Sequence, residues 1–364
     1  MTKEQALHER GIILRILPIV LLLLNGLAIA FAQELRIETI APSQIAIPEN
    51  VIQRLVIKSA DKVQIGHFLR IKDTLLVALP GKKPIQLPYR LQPIVSYDGS
   101  TIIQYGDKTL LDLPKHLDVY WIDNDGKEKT GLVNHYSGDA QLDVSSDGYT
   151  AVGGTLLEKS RGASIGSYSP DGKKIWETGI AKNRRVSQLC AVRQGGAVVA
   201  VTTDSENKLE KHQLDIYGKS GSLQSVVEDL GIIQRVVLVG DESTLFFGGR
   251  DYHGMIDVAS GLVLWKNPGK VTLASPYGAS LSPDGKNLFL MAVQFEGKRT
   301  GLYHWKFMIL DALTGKEIGS NVLPEKYPAT WGRIFESVSD GSVTVLAGDS
   351  RITITVGSEK GGRK

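Results

Sequence analysis

The chain has 364 residues, 42% hydrophobic and 22% charged, which suits one large domain or two smaller ones. Lys and Arg number 42 against 39 Asp and Glu, a formal charge of +3 without the basic stripe that nucleic-acid binding requires. A single cysteine, Cys190, excludes an intramolecular disulfide framework and any zinc site built on several thiolates.

Residues Ile12 to Ala32 are almost continuously apolar and follow Arg10. Ala30-Phe31-Ala32 places small residues where a signal peptidase reads, predicting a cut before Gln33. The uncharged run from Ile16 is short for a spanning helix, and Pro18 and Asn25-Gly26 weaken it as one. The alternative is an uncleaved signal anchor, with membrane contact confined to residues 12–32. Either way the bulk of the chain is expected outside the cytoplasm, periplasmic or secreted.

From Gln33 to Asp61, Pro42 and Pro48 punctuate a strand-like stretch, which reads as an irregular lead-in. Short strands follow at Gly66–Ile71, Thr74–Leu79 and Ile85–Leu87, and then a double period emerges. First turns fall at Asp98-Gly99, Asp147-Gly148, Gly195-Gly196, Asp241-Glu242, Asp284-Gly285 and Asp340-Gly341, roughly 43 to 56 residues apart. Second turns follow at Asp125-Gly126, Asp171-Gly172, Ser220-Gly221, Ser260-Gly261 and Thr314-Gly315. In these turns Pro presets φ, Asp bonds its own backbone and Gly accepts positive φ. The period therefore predicts five complete four-stranded units between about Pro93 and Ser320, with partial units at both ends. Joining the ends closes a ring of six blades, or seven if Gln53–Tyr89 forms its own sheet.

The strands ahead of the second turns share an apolar face, as in Val119-Tyr120-Trp121-Ile122-Asp123 and Met308-Ile309-Leu310-Asp311. Trp176 and Trp265 follow two of those turns and are expected to pack between neighbouring sheets, as Trp305 and Phe307 are. Cys190, between Leu189 and Ala191, reads as a buried, inert thiol.

Ser169-Pro170-Asp171-Gly172-Lys173, Ser282-Pro283-Asp284-Gly285-Lys286 and Asp257–Trp265 resemble the WD40-like and PQQ-like repeats of bacterial β-propellers over roughly Gly66 to Val356. The resemblance implies an all-β propeller at 62–356, after a signal segment at 1–32 and the lead-in at 33–61, and before a basic tail at 357–364. Its motifs serve turns and packing and carry no reaction. Quinoprotein dehydrogenases, the enzymes that the PQQ-like repeats most resemble, use an Asp base, calcium and commonly a vicinal disulfide, which Cys190 alone cannot form.

Other chemistry is thin. The His residues stand scattered, without metal-ligand spacing, and read as surface or loop groups. Gly162-Ala163-Ser164-Ile165-Gly166 matches a nucleophile elbow, but a strand rather than a helix follows it. No catalytic or metal residue and no cofactor is assigned. The binding candidates sit on long connections: Arg184 and Arg185; Arg250, Tyr252 and His253; Lys298, Arg299 and Tyr303. The expected function is a non-catalytic envelope scaffold whose partner is another protein or a peptide. The alternative is a propeller enzyme, a PQQ-type oxidoreductase or a sugar or lactone hydrolase.

Overall fold

The computed structural model describes residues 35–44, 50–59, 62–89, 91–106, 116–157, 162–204, 212–273, 278–294, 302–328, 333–339, 341–347 and 350–358. The signal segment, Lys298, Arg299 and the basic tail from residue 359 lie outside them. The chain divides into two compact units, Ile37–Val356 and a smaller one of Met1–Arg36 with Gly357–Lys364.

The described residues form strands and no helix. β1 (Leu35–Gln44) comes first, and six antiparallel meanders follow. They are β2 (Val51–Ser59), β3 (Lys62–Ile71), β4 (Thr74–Ala78) and β5 (Ile85–Gln86); then β6 (Gln92–Val95), β7 (Ile102–Gly106), β8 (His116–Ile122) and β9 (Glu128–Ser137). The third holds β10 (Gln141–Val144), β11 (Thr150–Thr155), β12 (Ala163–Tyr168) and β13 (Lys174–Gly179); the fourth β14 (Arg184–Ala191), β15 (Val198–Asp204), β16 (His212–Tyr217) and β17 (Leu223–Val227). The fifth holds β18 (Ile233–Val239), β19 (Thr244–Gly249), β20 (Tyr252–Asp257) and β21 (Val263–Pro268); the sixth β22 (Ala279–Leu281), β23 (Asn287–Gln294), β24 (Leu302–Asp311) and β25 (Glu317–Pro328). In a seventh sheet, β26 (Arg333–Val338), β27 (Ser342–Ala347) and β28 (Ser350–Ser358) are joined by β1 in the order β1-β28-β27-β26.

Both series of turns fall where the repeat puts them, apart from Asp340-Gly341, whose Asp340 lies outside the described residues. Gly99, Gly148, Gly196 and Gly285 occupy first turns at φ between 68° and 89°, a region that glycine alone enters without a Cβ penalty. The stretch expected as an irregular lead-in instead contains β1 and all of β2, and β2 pairs with β3 from Val51↔Leu69 to Ser59↔Lys62.

First strands of successive sheets lie side by side: β10 touches β14, β14 touches β18, β18 touches β22, and β22 touches β26. Apolar residues then meet between adjacent sheets, not within one. Val199, Leu214 and Ile216 of the fourth sheet pack with Val236, Leu245 and Phe247 of the fifth, and Phe246 and Met255 pack with Leu288 and Leu290 of the sixth. Sheets stacked radially through shared apolar layers are the architecture of a β-propeller.

Tryptophan secures these layers at the turns. Trp176 donates its Nε1–H to the Gly196 carbonyl at 2.9 Å, and Trp265 donates to the Ala312 carbonyl at 2.8 Å, each reaching the next sheet. Trp121, equally buried beside Gly172, has no acceptor for its Nε1–H. Trp305 and Phe307 are fully buried on β24, as their apolar setting predicts.

Candidate functional site

A cavity of about 640 Å³ opens among the first strands, walled by Val95, Asp143, Cys190, Val236, Ala279 and Phe335 from six different sheets. Alternation along each strand sends one set of side chains toward this space and the next into the sheet interfaces. The first turns form its mouth, carrying Asp98, Asp147, Asp241, Glu242 and one cation, Arg193.

Each of these carboxylates is engaged. Asp98 Oδ1 accepts from Ser96 Oγ and the Ser100 amide within its own turn. Asp147 accepts from Ser145 Oγ at 2.7 Å and, across to the fourth sheet, from the Gln194 amide at 2.8 Å. Asp241 pairs with Arg193 Nη2 at 3.0 Å, and the Ser243 hydroxyl and amide hold its carboxyl below the usual range.

Glu242 is the departure from the repeat. It stands where the five other first turns place glycine, and its φ is 67°. A Cβ at that φ costs about 1–2 kcal/mol. What holds it there is its carboxylate, which accepts from the Ser146 amide at 3.0 Å and the Arg193 amide at 2.8 Å. One side chain of the fifth sheet thus fastens turns of the third and fourth. The signal was present in the sequence as the one Asp-Glu among Asp-Gly and Gly-Gly turns.

Asp143, on β10, lies deeper. Its Oδ2 accepts from the Ala191 amide at 2.9 Å, bridging the third and fourth sheets. Burial, with the Glu242 charge adding to it, pushes its carboxyl up to about 7 despite that bond. Burial also raises the neighbouring Cys190 thiol far above its ordinary value, so the thiol stays protonated and inert. A carboxylate whose folded pKa is raised binds its proton more tightly in the native state, so stability is highest below about pH 4 and falls as pH rises toward 7. Asp143→Asn retains an acceptor for the Ala191 amide and removes this dependence. Urea titrations are expected to show the wild type losing about 2 kcal/mol relative to the variant between pH 4 and 7, half of what the full shift would carry because the side chain faces the cavity. Parallel pH profiles would refute the assignment.

The serine of the elbow-like motif lies in mid-strand. Ser164 Oγ donates to Glu177 Oε1 at 2.9 Å, and His135 Nε2 meets the same oxygen at 2.7 Å. Both groups converge on the carboxylate, leaving the hydroxyl without an imidazole base, so the trio fastens β9 to the third sheet. Burial raises the Glu177 pKa, but hydrogen bonds from His135, Ser164 and Lys174 outweigh it and hold the group ionised. Among the described residues, no three His, Cys, Asp or Glu side chains stand close enough to share a metal ion.

The binding candidates from sequence lie elsewhere. Arg184 reaches along its own sheet to Thr202 Oγ1 at 2.9 Å and the Thr202 carbonyl at 2.7 Å, and Arg185 donates to Thr203 Oγ1 at 3.1 Å. Arg250 is exposed, and Lys266 Nζ sits 4.7 Å above the Tyr252 ring. His253 is buried within β20, contrary to its reading as a surface or loop residue, and lines a groove between the fifth and sixth sheets. Tyr303 belongs to β24, opposite Tyr327. None of these six lines the central cavity.

No family model and no curated protein matches the chain. Among solved structures it is similar to one described as "Structure of Dos1 propeller", with 8% identity and a TM-score of 0.49, over 88% of this chain and 95% of that one.

Proposed function

We propose that the protein is an exported, non-catalytic β-propeller that serves as a binding scaffold in the cell envelope, with another envelope protein or a peptide as its partner. The seven sheets are taken as seven blades of one ring, locked where β1 joins β26–β28; the contact of β26 with β3 supports that closure. Export rests on the apolar segment before Gln33, with an uncleaved anchor as the alternative.

One observation carries the scaffold reading. The carboxylates at the cavity mouth are spent on fastening turns to themselves and to one another, which makes the mouth a rigid, acidic rim. Rigid loops on a repeat scaffold hold binding surfaces, and an acidic rim favours a basic segment of the partner. Cross-linking in the native envelope identifies the partner, and its affinity is then measured against Asp98→Asn combined with Asp241→Asn. A loss of at least fivefold, steeper at low salt, is expected. Unchanged affinity would remove the rim from the function.

A second reading, a propeller enzyme of the quinoprotein or sugar- or lactone-hydrolase type, draws on Asp143. A carboxyl poised near neutrality in a cavity suits general acid–base work.

A further inference from the structure

The cavity between the fifth and sixth sheets is built differently from the central one. Its volume is about 830 Å³, room for a molecule the size of a disaccharide. Trp265 closes the interface on one side through its bond to the Ala312 carbonyl, and its ring and that of His253 stand nearly perpendicular with centroids 6.0 Å apart. Past that pair, the chain leaves β21 through Pro268, Gly269 and Lys270, and the sheets part.

The walls combine polar and apolar chemistry. His253 Nδ1 meets the Gly269 carbonyl at 3.2 Å, so that nitrogen carries the proton and Nε2 keeps its lone pair as an acceptor. Burial depresses the His253 pKa, which keeps the ring neutral. Asn267 commits its amide nitrogen to the Thr314 carbonyl, leaving its oxygen as an acceptor. Met308, Leu310 and Val322 supply the apolar surface. The formal charges on the wall are Lys270, Lys306 and Lys316 against Glu317 alone. Lys306 reaches Glu317 at 3.3 Å, an exposed pair of small worth that an incoming anion can replace.

We infer that this groove binds an organic anion of about disaccharide size, its carboxylate held by Lys306 and Lys316, a hydroxyl donating to His253 Nε2, and its apolar face against Met308 and Val322. A carboxylate-bearing sugar meets all three requirements. The lysines provide the charge discrimination, and the histidine and Asn267 oxygen read hydroxyl donors, so an uncharged sugar of equal size binds poorly.

Calorimetry of the full-length protein with an unsulfated hyaluronan disaccharide, which has one carboxylate, tests this against the uncharged N,N′-diacetylchitobiose. Saturable binding of the charged disaccharide is expected, weakening with added salt, and at least tenfold weaker for chitobiose. Lys306→Gln with Lys316→Gln should reduce binding at least tenfold, while Lys219→Gln, in an exposed turn of the fourth sheet, leaves it unchanged. Lys316→Gln alone is a surface change that preserves folding, and it should cost about threefold. Absence of saturable binding, equal binding of the two sugars, or full affinity in the Lys316 variant would overturn the assignment.

Discussion

Replacing Trp265 with Ala is expected to lower stability by about 4 kcal/mol, measured as a shift in the urea unfolding midpoint at constant slope. The indole is buried, packs near Phe246 and His253, and holds the Ala312 carbonyl of the next sheet. Removing it opens a cavity and strands that carbonyl together. The partner glycine offers a separate check on the same contact. Gly315 has φ of 69°, and a Cβ there would stand 2.3 Å from Trp265 Cε3 and 2.6 Å from Asn267 Nδ2. Gly285 has nearly the same φ, 72°, with nothing within 4 Å of such a Cβ. Gly285→Ala should cost about 1 kcal/mol, for backbone strain alone. Gly315→Ala should cost about 3 kcal/mol, because the indole must also move. Equal costs would mean that the close approach to Trp265 has no energetic weight.

Glu242→Ala should cost about 3 kcal/mol, because two hydrogen bonds to a charged acceptor are lost and the Ser146 and Arg193 amides are left unpaired. Glu242→Gly loses the same bonds but relieves the strain of a Cβ at φ 67°, so it should be about 1 kcal/mol less damaging than Ala. The order of the two variants is the informative result. If Gly were no better than Ala, strain would not be stored at this turn; if both were neutral, the carboxylate would not fasten the sheets.

The repeat was legible because a turn needing positive φ imposes glycine at a fixed place, and Asp ahead of it bonds the local backbone. Asp98-Gly99, Asp147-Gly148 and Asp284-Gly285 thus gave the strand order directly. The bounds of β1 and β2 are not legible, though a sheet over Gln53–Tyr89 and a closing N-terminal strand are, because Pro42 and Pro48 break the stretch before a pattern is established and β1 finds its partner more than 300 residues away. The central site was harder to see. Asp98, Asp147 and Asp241 are explained locally by their turns, and nothing in Gln141-Leu142-Asp143-Val144 shows that this strand faces a cavity. Long connections carrying basic residues are the more visible candidates in the sequence, yet Arg184 and Arg185 lie along their own sheet, where their guanidinium groups satisfy Thr202 and Thr203. His253 stands out in the sequence only as part of a long connection, while its relevance comes from the gap beside β21.

The apolar layers between sheets have a thermodynamic consequence. No sheet owns a complete core, so a single four-stranded unit taken alone would expose two greasy faces and could not fold. Stability therefore accumulates through nearest-neighbour interfaces, as in a one-dimensional cooperative array. Damage at one interface weakens the sheets on both sides of it. The cross-sheet bonds of Glu242, which skip from the fifth sheet to the third, extend that coupling beyond nearest neighbours on the side facing the cavity.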